Sequence, residues 1–259
     1  MTKAIYPILL VCISVLFSCS QYRQLCTLSP GNGISKNDSV YYFENDTLKI
    51  VYSFWKEKGI LGYEVYNKLP IPIYIDWKKC SFVVNSVKMN YWADETISTS
   101  TSVRNTYSST SAGYFGLLGI SGSVTVANGK SVKPERITFL APHSGIVRAD
   151  FRLWSGAVTR FSSAERSGTL HKPGYGQVSI KYKDYNMAES PLTFRNFLTY
   201  STTESFSQEI YVDNEFYISR ISQMKVSDFE GRLYYDKIRH EQLLSQPFNT
   251  ATMFYLGVK

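Results

Sequence analysis

Serine three residues before lysine occurs twice in this chain, as Ser53-Phe-Trp-Lys56 and Ser222-Gln-Met-Lys225. That spacing makes a nucleophile when a helix N-terminus sets the lysine one turn above the serine. Both copies fall on strand-patterned segments, where positions three apart face opposite ways, and no Lys-Thr-Gly element accompanies them. Neither reads as an acylation site. Gly119-Ile-Ser-Gly-Ser123 lacks the closing glycine of a nucleophile elbow. The three histidines, His143, His171 and His240, are far apart and share no metal-ligand spacing. Asp94-Glu95 borders a polar stretch without the glycine-ordered oxygens of a calcium loop. Glu64, Asp76, Asp150, Glu204, Glu209 and Asp213 offer carboxylates for glycosidic chemistry, but such a pair needs a fixed separation across a cleft. These residues imply neither a cofactor nor a metal, and a non-enzymatic role is the expectation.

Binding chemistry is better represented. Trp77-Lys-Lys79 and Tyr91-Trp92 put aromatics beside strand ends, and His171-Lys-Pro-Gly-Tyr-Gly176 projects Tyr175 from a tight turn. Trp77, Trp92 and Tyr175 are therefore the candidate glycan-stacking residues, with core packing as the competing reading. Residues 94–113 are rich in hydroxyls. The apolar, glycine-studded run that follows carries Tyr114, Phe115, Leu117, Leu118 and Ile120, the candidate partner-binding residues. Glycines 116, 119 and 122 would permit close backbone approach, although a buried small-residue strand fits the same run.

The first nineteen residues say where such chemistry would act. Lys3 precedes an apolar run, Ala4 to Phe17, which ends in Leu16-Phe-Ser-Cys19. A positive start, a short apolar segment and a small residue at the cut make a secretory signal. The run has 14 residues, against the roughly 20 needed to span a bilayer. Cysteine after Leu-x-Ser resembles a bacterial lipobox, which makes Cys19 the lipid attachment site and residue one of the mature protein. Residues 1–18 are read as signal peptide and 19–38 as a flexible tether containing Pro30, Gly31 and Gly33. Of the four cysteines, Cys12 leaves with the signal. An oxidising envelope permits Cys26 and Cys80 to pair, but two cysteines make no framework, so pairing stays open.

Positioning falls to a sheet-built domain over residues 39–259, with an insertion at 94–135. The 259-residue chain is 44% apolar and 15% aromatic, and its 20 tyrosines suit half-buried pleated faces. Leu48, Ile50, Tyr52 and Phe54 share one face; Leu61, Tyr63 and Val65 repeat the alternation, as do Ile71, Ile73, Ile75 and Trp77. Asn85-Ser86 forms a two-residue turn between Phe82–Val84 and Val87–Tyr91. Further strands are expected at Ile137–Leu140, Val147–Leu153, Val178–Tyr182, Leu192–Tyr200, Phe206–Val212, Glu215–Ile221 and Met253–Val258. Apolar residues recurring at three and four over Leu233–Leu244, stopped by Pro247, predict one short helix near the C-terminus. The expected fold is mainly β, an antiparallel β-sandwich of immunoglobulin-like type.

The net charge of +7 is spread along the chain, and Lys78-Lys79 is the sole adjacent cationic pair. That describes a solvated basic surface, and no nucleic-acid partner is expected of an exported lipoprotein.

Three stretches, Tyr41–Leu48, Gly62–Lys68 and Pro72–Lys78, are similar to the N-terminal strands of uncharacterised outer-membrane lipoproteins of the Bacteroidota type. That resemblance implies a palmitate-bearing anchor in the outer membrane of the cell envelope. Asp38-Ser39-Val40 and Asp46-Thr47-Leu48 resemble that group's O-glycosylation signal, which makes Ser39 and Thr47 candidate acceptors. Residues 20–24 lack the acidic cluster that resembles a surface-export tag, so a periplasm-facing anchor is implied. The function these readings imply is an accessory or scaffold subunit with a protein partner in the envelope. A surface carbohydrate-binding module is the alternative.

Overall fold

The computed structural model describes residues 21–93, 135–236 and 240–258. Seventeen strands, all in antiparallel pairs, and one short helix make up its regular structure. The strands are β1 (Tyr22–Pro30), β2 (Ser35–Asn37), β3 (Val40–Glu44), β4 (Leu48–Ser53), β5 (Ile60–Asn67), β6 (Ile73–Asp76), β7 (Ser81–Val84) and β8 (Val87–Asn90). After the insertion come β9 (Ile137–Leu140), β10 (Gly145–Arg152), β11 (Arg166–Lys172), β12 (Gly176–Asp184), β13 (Thr193–Ser201) and β14 (Ile210–Lys225). The chain closes with helix α1 (Val226–Phe229), β15 (Leu233–Asp236), β16 (Glu241–Leu244) and β17 (Met253–Val258).

Two sheets enclose the main core. One runs β10-β5-β4-β3-β2. The other has ten strands and curls into a half-barrel, built on the path β11-β12-β14-β13-β6-β9, with β1 between β14 and β17 and the β7–β8 hairpin beside β13. The fold is mainly β and sandwich-like, as the alternation implies. Tyr52, Phe54, Phe194 and Phe216 meet at its centre, with ring centroids 4.8–5.9 Å apart. Such offset and edge-on contacts add to what burial alone contributes.

The 16-residue β14 is the spine of the large sheet. Its even positions, Val212, Asn214, Phe216 and Ile218, are buried, and the register then slips opposite Thr27/Leu28. An extra residue in one strand flips the side chains that follow, so Ile221 takes over the main core while Met224 turns to a second cluster. That smaller cluster joins Leu25, Met224, Phe229 and Phe248, with Trp55 and Tyr255 packed against it.

Three expectations need correction. The stretch read as a tether contains β1, which pairs with β14 on one side and β17 on the other. Leu25 faces one core and Cys26 and Leu28 the other, so all three are buried. Residues 233–236 and 241–244 are strands, not parts of a helix. Leu233 pairs with Leu244 and Asp236 with Glu241 across a hairpin, and the short helix lies just upstream, at α1. The strands expected at Phe206–Val212 and Glu215–Ile221 are one, β14, which begins at Ile210. Asp213 and Asn214 do not break it because Asp213 pairs across the strands with Arg195, and Asn214 accepts a hydrogen bond in the core. Cys26 and Cys80 are free, buried thiols.

Candidate functional site

The two ends of the insertion meet at one cluster of polar and aromatic side chains. Ile73, Ile75 and Trp77 alternate onto the core face, which leaves Asp76 at the close of β6, buried under the turn. Its carboxylate accepts Nη2 of Arg136 at 2.8 Å, Nε of Arg136 at 3.2 Å and the Lys78 backbone N–H at 3.1 Å. The Trp77 N–H donates to the Arg136 carbonyl, and the indole Nε1 donates to Thr138 Oγ1 at 2.7 Å. Arg136 is the first residue after the insertion. The returning chain is thus fixed to the strand that precedes the β7–β8 hairpin.

The departing end is fixed to the same place. The Tyr91 ring lies 5.7 Å from Trp77, and Lys78 Nζ stands 5.9 Å over Trp92. The Arg148 guanidinium sits 4.1 Å from the Trp77 ring centre and 5.6 Å from that of Tyr91, and Asp150 holds it by a 2.6 Å contact. Cation–π contact and ion pair together close the clamp. Excursions whose ends are held together on a rigid scaffold are common places for binding function.

A buried polar chain leads inward from the clamp. The Tyr91 hydroxyl donates to Asn196 Oδ1 at 2.7 Å, Asn196 Nδ2 donates to the Tyr52 oxygen at 3.2 Å, and the Tyr52 hydroxyl donates to Asn214 Oδ1 at 2.8 Å. It crosses the sandwich from the insertion's root to β14. Burial pushes the phenols of Tyr52, Tyr63 and Tyr91 well above the ordinary tyrosine range.

The proposed stacking residues do not assemble into a platform. Trp77 is 1% exposed, with one face covered by Arg148, so a sugar ring cannot reach it. Trp92 is half-buried against the core. Tyr175 alone stays open, at 40% exposure, with Lys172 Nζ 4.6 Å and the Arg232 guanidinium 5.7 Å from its ring centre. Its hydroxyl lies 3.1 Å from Ser245 Oγ and accepts the Arg232 N–H at 2.6 Å, and these two contacts lower the phenol's pKa. Cys19 and the candidate partner-binding residues Tyr114, Phe115, Leu117, Leu118 and Ile120 lie outside the described residues. Ser39 is exposed in the turn between β2 and β3, and Thr47 is half-buried between β3 and β4, where its N–H bonds to Asn45 Oδ1.

The two serines weighed as nucleophiles lie on separate strands. Ser53 ends β4, and Ser222 is buried within β14. Among the described residues no three His, Cys, Asp or Glu side chains converge as metal ligands. Asp150, Glu209 and Asp213 each pair with a cation, Arg148, Lys79 and Arg195 respectively. Glu64 is buried on β5, which pushes its carboxyl above the ordinary range.

A second feature went unrecognised in the sequence. The β15–β16 hairpin forms a sheet of its own, and one of its faces carries Leu233, Tyr235 and Leu244 at 57%, 56% and 42% exposure. Alternation of Leu233 with Tyr235, matched by Gln242 with Leu244, was the available signal, but it was masked by an equally good helical period. No protein-family model, curated protein or solved structure matches this chain.

Proposed function

We propose that this chain is a lipid-anchored, non-enzymatic protein of the bacterial outer membrane, held through Cys19 and facing the periplasm. It acts there as an accessory or scaffold subunit whose insertion, residues 94–135, engages a protein partner. The observation that carries this reading is the clamp of Asp76, Trp77, Arg136 and Arg148 at the insertion's root. An ion pair with one buried partner, as between Arg136 and Asp76, is weak evidence for stability and better explained where it fixes geometry. Together with the contacts of Tyr91 and Trp92, it brings both ends of the 42-residue insertion to one point. The Leu-x-Ser-Cys19 ending and the apolar run from Tyr114 to Ile120 supply the anchor and the contact surface.

The test is affinity capture from detergent-solubilised envelopes with the lipidated protein and a variant lacking residues 96–127. The parent retains a partner that the deletion variant loses, while both unfold at the same urea concentration. Equal recovery with the two proteins would remove the insertion as the docking element.

A further inference from the structure

The lipid anchor just proposed has a geometric consequence, because no spacer separates it from the folded body. Only Cys19 and Ser20 precede Gln21, and two residues span at most about 7 Å. Gln21 is already attached to the fold: its carbonyl accepts the Val226 N–H at 3.1 Å, and Tyr22 pairs with both Lys225 and Val258. An acyl chain on Cys19 therefore places this end of the large sheet against the lipid headgroups.

The same end carries the root of the exposed hairpin. Val226 begins α1, the Glu230 N–H bonds back to the Val226 carbonyl, and Gly231 pairs with Ser245 where β15 and β16 leave the body. Tyr175 braces that root through Arg232 and Ser245. Aromatic residues with a polar tip favour the boundary between headgroup and acyl chain, and leucines supply the apolar area. A two-stranded hairpin is also marginal in water by itself, so an apolar surface laid against the face of Leu233, Tyr235 and Leu244, the more exposed of its two exposed faces, adds order.

We infer that the β15–β16 hairpin is an interfacial membrane contact, which lays Leu233, Tyr235 and Leu244 on the bilayer that holds the N-terminus. The contact rests on the anchor for its placement, but not for its chemistry. Its test therefore substitutes an artificial tether. Hexahistidine fused directly to Ser20 of the mature chain binds vesicles of phosphatidylethanolamine, phosphatidylglycerol and a nickel-chelating lipid, with brominated acyl chains as quenchers. In the Tyr235→Trp variant, fluorescence is quenched beyond that of the parent, and the excess is lost when Leu233→Ser and Leu244→Ser are added.

Circular dichroism that matches the parent's shows that each variant retains the sheets. Vesicle-bound Tyr235→Trp protein without excess quenching would overturn the contact. So would a dimer in solution that Tyr235→Ser abolishes, because a second copy would then occupy the face. Failure of Cys19 to accept palmitate would instead strike the anchor, and it would leave the tethered measurement standing as an independent result.

Discussion

Arg136 reaches in from solvent to meet Asp76, Nη2 to Oδ2 at 2.8 Å, while the carboxylate it meets is buried. The asymmetry decides which side of the pair matters more for stability. Asp76→Ala removes the acceptor for three donors, one of them the Lys78 backbone N–H, and should cost about 2 kcal/mol in urea unfolding. Arg136→Ala leaves the aspartate open to water on that side and should cost less. An equal loss in both variants would mean that the arginine is as buried in solution as its partner.

The Tyr91–Asn196–Tyr52–Asn214 chain makes a sharper prediction. Tyr52→Phe leaves Asn214 Oδ1 without its donor and Asn196 Nδ2 without its acceptor, inside a packed core. The expected loss is about 1–3 kcal/mol, measured by denaturant unfolding. Tyr175→Phe removes a hydroxyl at the surface and should stay within about 0.5 kcal/mol. A Tyr52→Phe variant as stable as the parent would show that the chain contributes nothing to stability.

Stability should fall in alkali. Burial pushes the Cys80 thiol up to about 12, and it raises the phenols of Tyr52, Tyr63 and Tyr91 as well. The folded state holds these protons more tightly than the unfolded chain, whose thiols ionise near 8.5 and phenols near 10. Their stabilisation is thus complete below about pH 8.5 and declines as pH rises toward the folded-state values. Urea midpoints between pH 7 and pH 11 should decrease, and Cys80→Ala should shallow the decline. The free, buried thiols of Cys26 and Cys80 should resist an aromatic disulfide reagent until the protein unfolds. A flat pH profile would contradict the burial.

Much of the sandwich was legible from period-two alternation because one face of those strands meets the core. Leu48, Ile50, Tyr52 and Phe54 are all buried as expected, and so are Leu61, Tyr63 and Val65. Asn85 and Ser86 both adopt positive φ, 45° and 67°, as a two-residue hairpin turn requires. By contrast, β1 is buried on both faces and therefore lacks alternation, and its Gln24 is accommodated by Gln223 and Thr159, which lie far along the chain. Tertiary pairing made a strand of a segment whose composition resembled a linker.

The candidate site was less legible still, for a related reason. Trp77 follows Ile73 and Ile75 at the same spacing, so the period that identified the strand also carried the indole into the core. The partnership between Asp76 and Arg136 spans the whole insertion, and no local pattern announces it. Near the C-terminus, leucines and tyrosines at overlapping spacings satisfied helix and hairpin alike. The outcome followed β15–β16 pairing and the root contacts at Gly231 and Ser245.

Lipid attachment at Cys19 is the claim on which membrane placement depends, and metabolic labelling with radioactive palmitate tests it most directly. The parent protein should carry the label in the membrane fraction, and Cys19→Ala should carry none. An unlabelled parent, or label that persists in Cys19→Ala, would contradict the account.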